Sequence, residues 1–342
     1  MKKMILFSAI IILLSGTTGC RDTAGDGEEH GRVVFFDSTA TELIQINDDG
    51  TGYNNFTSLA VSNIYPSLTN SFGRGAEYVA YTTGPDIRLY MFDGSFDGPV
   101  YAGAFAIQHI SVSPDQKYIA FSDVQATAEY FILDIQNPLT PTLINSSSPF
   151  GPSTINWSPD GEYVVFASDN LSPGNEEIYN YKLNGGNLTQ LTSGPSIPTN
   201  PIWSPRGDKI LFLDDDFGYD LLYTMNTDGS DRLQIANHSS VITNPSWSPD
   251  GRRVAYIWSG QLFVVDADGY DIYSPNQIAP SFIDGTVWAA TQVSWSTYGT
   301  KLAVTLNSAG NDDLYIVDPE TDDFYMLADG VGDQRNAVWL VD

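Results

Sequence analysis

Basic residues are scarce in this sequence. It carries 15 lysines and arginines against 42 aspartates and glutamates, a formal net charge of −27. That balance argues against nucleic acid and against direct adsorption to anionic lipid, since both need a basic face. Cysteine occurs once, at Cys20, so no disulfide can form within the chain. Histidine occurs three times, at His30, His109 and His238. There is no Gly-x-Ser-x-Gly, no His-Glu-x-x-His and no Gly-x-x-x-x-Gly-Lys. The nucleophile elbow, the zincin helix and the phosphate-cradling loop are therefore all missing. A helical bundle would need far more Ala, Glu, Lys and Leu at helical spacing. Aromatics make up 13% of the chain, too many for a disordered one.

What is present begins with an address. Lys2 and Lys3 precede an apolar run from Met4 to Leu14, broken only by Ser8. The run is too short to span a bilayer comfortably and fits the core of a signal peptide. Small residues follow, then Cys20. This arrangement resembles a bacterial lipoprotein signal, in which the cysteine is acylated after cleavage. The alternative is an ordinary secretory signal that happens to contain a cysteine. Residues 1–19 are read as the signal and 20–31, polar and acidic, as a flexible tether. By the same resemblance, Arg21 after the cysteine permits sorting to an outer membrane, with the protein on its periplasmic or surface side.

Internal repeats set the fold class. Trp157-Ser158-Pro159-Asp160-Gly161 recurs at Trp247-Ser248-Pro249-Asp250-Gly251, with variants starting at Trp203 and Trp295. Weaker copies are anchored at Phe72 and Val112, and a seventh begins at Trp339. The anchors stand 40 to 48 residues apart, the period of four-stranded propeller blades. Within each copy, Pro presets φ, Asp bonds back to the backbone and Gly accepts φ > 0, giving a tight turn. A β-branched and aromatic strand follows, such as Tyr163-Val164-Val165-Phe166. The seventh copy lacks its later strands. Arg32-Val33-Val34-Phe35 and Glu42-Leu43-Ile44-Gln45-Ile46-Asn47 match them. The expectation is an all-β, seven-bladed propeller over residues 32–342, monomeric, with four-stranded antiparallel blades. Its last blade would be closed by strands from both ends, and each Trp would be wedged between neighbours.

The repeats resemble the TolB-type, or PD40, family of β-propellers. The resemblance rests on the Trp-Ser-Pro-Asp-Gly units and covers essentially the whole mature chain. It implies architecture rather than activity. TolB's additional N-terminal α/β domain and the hydrolase domain of prolyl-oligopeptidase relatives both find no counterpart here. Related oligogalacturonate lyases bind a metal through several histidines, which three scattered ones fit poorly.

Stacking the repeats exposes one candidate binding site. Three residues before the anchors stand Thr69, His109, Thr154, Asn200, Asn244, Gln292 and Asn336. All are polar and none is an anion. The position reads as the start of each innermost strand, at the mouth of a central channel. Such residues bond exposed backbone well; they also suit a ring that holds a ligand. Acidic clusters at Asp169, Glu176-Glu177, Asp214-Asp215-Asp216 with Asp220, and Asp312-Asp313 are placed in loops between second and third strands. There they solvate an exported protein, or attract Ca²⁺ or a basic partner. The function expected is a non-enzymatic envelope lipoprotein, without cofactor or metal, that binds a protein, peptide or glycan. The alternative is a metal-assisted polysaccharide lyase or hydrolase acting at the channel mouth.

Overall fold

The computed structural model describes residues 32–37, 42–52, 54–58, 78–83, 85–91, 97–124, 128–147, 154–169, 175–216, 219–270, 275–278, 282–283, 286–287, 289–308, 311–328 and 334–339. The signal, the tether with Cys20, and Thr69 lie outside them. Among the described residues there are strands and turns and no helix, hence none long and apolar enough to cross a membrane.

The strands form six four-stranded antiparallel sheets, a three-stranded sheet and a small hairpin. The three-stranded sheet is Tyr78–Thr83, Asp86–Met91 and Asp97–Ala102. The repeat unit is clearest in the sheet Ile155–Trp157, Tyr163–Ser168, Glu177–Lys182 and Asn187–Gln190. Its strands pair in chain order, Trp157 opposite Val164 and Phe166 opposite Tyr179. Another sheet draws on both ends of the described chain: Gln334–Trp339 pairs with Arg32–Asp37, which pairs with Glu42–Asn47 and then Asn54–Ser58. Val33 stands opposite Trp339 and Val34 opposite Val338.

The turns form for the reasons their residues suggest. The Ser158 hydroxyl donates to Asp160 Oδ1 at 2.6 Å, and Asp160 Oδ1 accepts the Glu162 amide at 2.9 Å. Ser158 Oγ in turn accepts the Tyr163 amide at 2.9 Å. Gly161 adopts φ +71°. The same bonds recur around Ser248 and Asp250. Where Gly is replaced by Gln116, the backbone still takes φ 59°. Consecutive turns also touch: Pro114 lies beneath Gly161, Pro159 beneath Gly207, and Pro249 beneath Gly299.

The anchoring tryptophans are wedges between sheets. Trp157, Trp203, Trp247 and Trp295 are all buried. The indole N–H of Trp157 donates to Ser111 O at 3.0 Å, that of Trp247 to Ile202 O at 3.3 Å, and that of Trp295 to Ser246 O at 3.1 Å. Each acceptor is the residue just before the previous anchor, so these three sheets are pinned to their predecessors, whereas, among the described residues, the Trp203 indole is held by packing alone. The core is a series of such seams, each mixing residues of two sheets, as Ala255, Val264, Trp295 and Val304 do.

This topology gives the assembly two unlike ends. The Ser-Pro-Asp-Gly turns and the turns between third and fourth strands share one end, the turn face. The starts of the innermost strands and the second-to-third hairpins share the other, here called the rim.

Candidate functional site

The rim is where the sequence placed its candidates. His109 lies within Ile107–Val112, Asn200 within Pro198–Trp203, Asn244 within Ile242–Trp247 and Gln292 within Ala289–Trp295. Thr154 immediately precedes Ile155–Trp157, and Asn336 lies within Gln334–Trp339. In all five longer strands the position therefore sits inside the strand, at a shift of register, rather than at its beginning. The shifts fall between Ile107 and His109, Thr199 and Ile202, Thr243 and Ser246, Ala290 and Gln292, and Arg335 and Val338. Asn200 and Asn244 adopt φ 51° and 50° and are followed by Pro201 and Pro245. Proline has no N–H for the ladder, so the strand bulges there. Asparagine is among the few side chains that tolerate the left-handed conformation the bulge imposes. Asn-Pro before Trp203 and Trp247 marks these two bulges in the sequence; those at His109 and Gln292 form without proline.

The asparagines also tie strands together. Asn244 Nδ2 donates to Thr291 O at 2.7 Å, reaching the residue before Gln292 on the next sheet. Asn244 is exposed, while His109, Thr154, Asn200 and Gln292 are half-buried.

The carboxylates occupy the same end; Asp169 and Glu176 lie in the connection between Tyr163–Ser168 and Glu177–Lys182, as expected, but the others are strand residues. Asp214–Asp216 belong to Lys209–Asp216, Asp220 to Tyr219–Asn226, and Asp312-Asp313 to Asn311–Val317, with Asp215 opposite Asp220. Several are buried rather than solvating: Asp123, Asp169, Glu177, Asp214, Asp312 and Asp313. Asp214 stands opposite Pro198, two residues before Asn200, and Asp123 opposite Ile107, two before His109. Asp214 Oδ2 accepts from Arg232 at 2.9 Å and from Ser196 Oγ at 3.1 Å. Glu177 accepts from Thr192 Oγ1 at 2.6 Å, from the Gly194 amide at 3.0 Å and from Asn175 Nδ2 at 3.2 Å. A buried anion with three donors, as Glu177 is, fixes the loop that follows Asn187–Gln190 to the rim.

Glu176 differs. Burial, reinforced by the charge of Asp169, pushes its carboxyl up to about 7. A carboxyl protonated more readily when folded costs stability once pH rises above its unfolded value. The cost grows from about 4.5 to about 7 and then levels off. Glu176→Gln is expected to raise stability by about 2 kcal/mol at pH 8 and by little at pH 4.5. Melting temperatures of both proteins across that range measure it; parallel curves would refute the shift.

His238, in the loop between Leu233–Ala236 and Ile242–Trp247, is half-buried. It stacks on Trp258 with ring centroids 4.2 Å apart and pairs through Nε2 with the Tyr256 hydroxyl at 2.8 Å. Burial holds its imidazole below the usual histidine range. Nothing in the sequence spacing brings His238 to Trp258, because the contact crosses from one sheet's outer strand to the next sheet. Among the described residues, no three of His, Cys, Asp or Glu are grouped so as to hold a metal ion.

The sequence profile of the TolB beta propeller domain, PD40, matches residues 72–290. The chain belongs to the TolB beta-propeller family. Solved structures agree at the level of fold. TolB from Acinetobacter baumannii is similar at 17% identity, over 87% of this chain and 78% of that one, with a TM-score of 0.53. An oligogalacturonate lyase in complex with manganese is similar at 11% identity over 83% and 85%, with a TM-score of 0.65. Puromycin hydrolase is similar at 11% identity over 93% of this chain and 57% of that one, also with a TM-score of 0.65. The same propeller thus occurs in proteins with and without a named enzymatic activity, and the architecture alone assigns none.

Proposed function

We propose that this member of the TolB propeller family is a non-enzymatic lipoprotein of the cell envelope that presents its rim to a protein, peptide or glycan. In this reading seven blades close into a ring through both ends of the chain. Thr69, His109, Thr154, Asn200, Asn244, Gln292 and Asn336 then surround the mouth of the central channel. The observation that carries the proposal is the neutral, polar character of that position in repeat after repeat, set beside buried carboxylates such as Asp123 and Asp214. Neutral amides orient a ligand by hydrogen bonds without the cost of desolvating a charge.

The backbone role of the asparagines has to be separated from binding. Asn244→Ala removes the bond to Thr291 and leaves alanine in a left-handed conformation, an expected loss of about 1–2 kcal/mol. Asn244→Gly relieves the backbone and removes only the side chain. If the ring binds the partner recovered from solubilised envelope, Asn200→Gly and Asn244→Gly weaken that complex about tenfold each while melting near the wild-type temperature. Unchanged affinity in both would remove the ring as the site.

A second reading, a polysaccharide lyase or hydrolase, draws on Glu176 and Asp169, two neighbouring carboxyls of which one is held near neutrality. Release of unsaturated or reducing sugar ends from acidic polysaccharides, abolished by Glu176→Gln, would favour it over binding.

The anchor is tested directly. Cys20→Ser is expected to move the protein from the detergent phase to the soluble exported fraction. Identical partitioning of variant and wild type would refute lipidation.

A further inference from the structure

We propose that the turn face lies against the lipid surface and that the rim is directed away from it, toward the partner. This rests on the lipid-anchored reading above. Strand direction supplies the first argument. Arg32 opens the strand Arg32–Asp37 opposite Asn47, at the end of the sheet where the turn Asn47-Asp48-Asp49-Gly50 begins. Lys301, which closes the turn beginning at Ser296, reaches Asp48 at 2.7 Å. The chain therefore enters the fold on the turn face. Eleven residues separate Cys20 from Arg32, a reach of at most about 40 Å.

The second argument is independent of the anchor. Among the described residues, the two most exposed large apolar side chains, Leu139 at 92% and Tyr270 at 89%, both project from turns between third and fourth strands. Tyr298, half-exposed, sits in the turn after Trp295. All three are on the turn face and come from three different turns, so they offer separated points of contact. Tyrosine and leucine suit the headgroup boundary, where an apolar body meets a polar tip. The exposed apolar residues of the rim, Phe105, Ile197 and Val241, are covered to a greater extent.

The test uses the acylated protein, whose Cys20 sulfur is occupied by lipid. Leu139→Cys, Tyr270→Cys and, on the rim, Ser239→Cys each receive a fluorophore; all three positions are exposed, so the fold is preserved. The proteins are reconstituted into phosphatidylethanolamine–phosphatidylglycerol vesicles containing nitroxide lipid. Side chains at the boundary sit about 5–10 Å deep, so labels at 139 and 270 are expected to be quenched about threefold or more relative to 239. Equal quenching, or stronger quenching at 239, on protein that floats with the vesicles overturns the orientation and leaves the lipoprotein reading intact. An N-terminal peptide without acyl mass, on protein that does not float, overturns both.

Discussion

Removal of residues 336–342 is expected to abolish cooperative folding at 37 °C or to lower the melting temperature by more than 10 °C. The strand Gln334–Trp339 is the only described partner of Arg32–Asp37 on that side of its sheet, and it packs against Ala289–Trp295, Leu302–Ser308 and Asn311–Val317. Without it, one sheet gains a free edge and the neighbouring sheet an uncovered face. Exposing two apolar surfaces at once costs more than the loss of one large core side chain, which alone is about 3–5 kcal/mol. That is comparable with the net stability of a domain, about 5–15 kcal/mol. Circular dichroism melts of the truncated and full-length chains decide it. A truncated protein that melts with the wild type would sink the two-ended sheet as a source of stability.

The second large effect is expected at Lys301. Its ammonium reaches the carboxylate of Asp48, which is 1% exposed, from the adjoining sheet. The Tyr325 hydroxyl bonds the Asp48 carbonyl at 2.7 Å. Burial works against the charged lysine, but the hydrogen bond and charge of Asp48 outweigh it, and the proton is held more tightly than usual. A raised lysine value means that the stability it contributes is complete below the ordinary 10.5 and fades only above it. Lys301→Met strands a buried anion, with an expected loss of about 3 kcal/mol at neutral pH. Pairing it with Asp48→Leu, which removes the anion as well, is expected to restore most of that loss. Urea denaturation of the single and double variants measures the cycle. Additive losses would mean that the two groups are not coupled.

Much of this fold was legible because the repeat writes its own turn. Ser158, Asp160 and Gly161 each satisfy a backbone requirement within five residues, and so does the copy at 248–251. Local requirements of that kind survive in sequence. The wedging of Trp157, Trp247 and Trp295 was legible too, since one large apolar side chain recurring at blade period needs a seam to fill. The burial of Asp169, Asp214 and Asp313 was not. Runs of acid read as solvent-facing, and what buries Asp214 is Arg232 with Ser196, residues from two other strands and connections. The left-handed Asn200 and Asn244 were half legible. Their polarity was plain, but the left-handed backbone was not, since the same register shift forms without proline at His109 and Gln292.

The pairing of Val33 with Trp339 joins residues separated by almost the whole length of the fold. During synthesis the first strand emerges long before its partner, and contacts of such high sequence separation are the slowest to form. Each of the other four-stranded sheets is assembled from neighbouring segments and can form as it appears. On the exported reading proposed above, the chain has to remain threadable until it has crossed the membrane. A hydrogen-bonded seam between the first and last described strands would then form only after the crossing is complete.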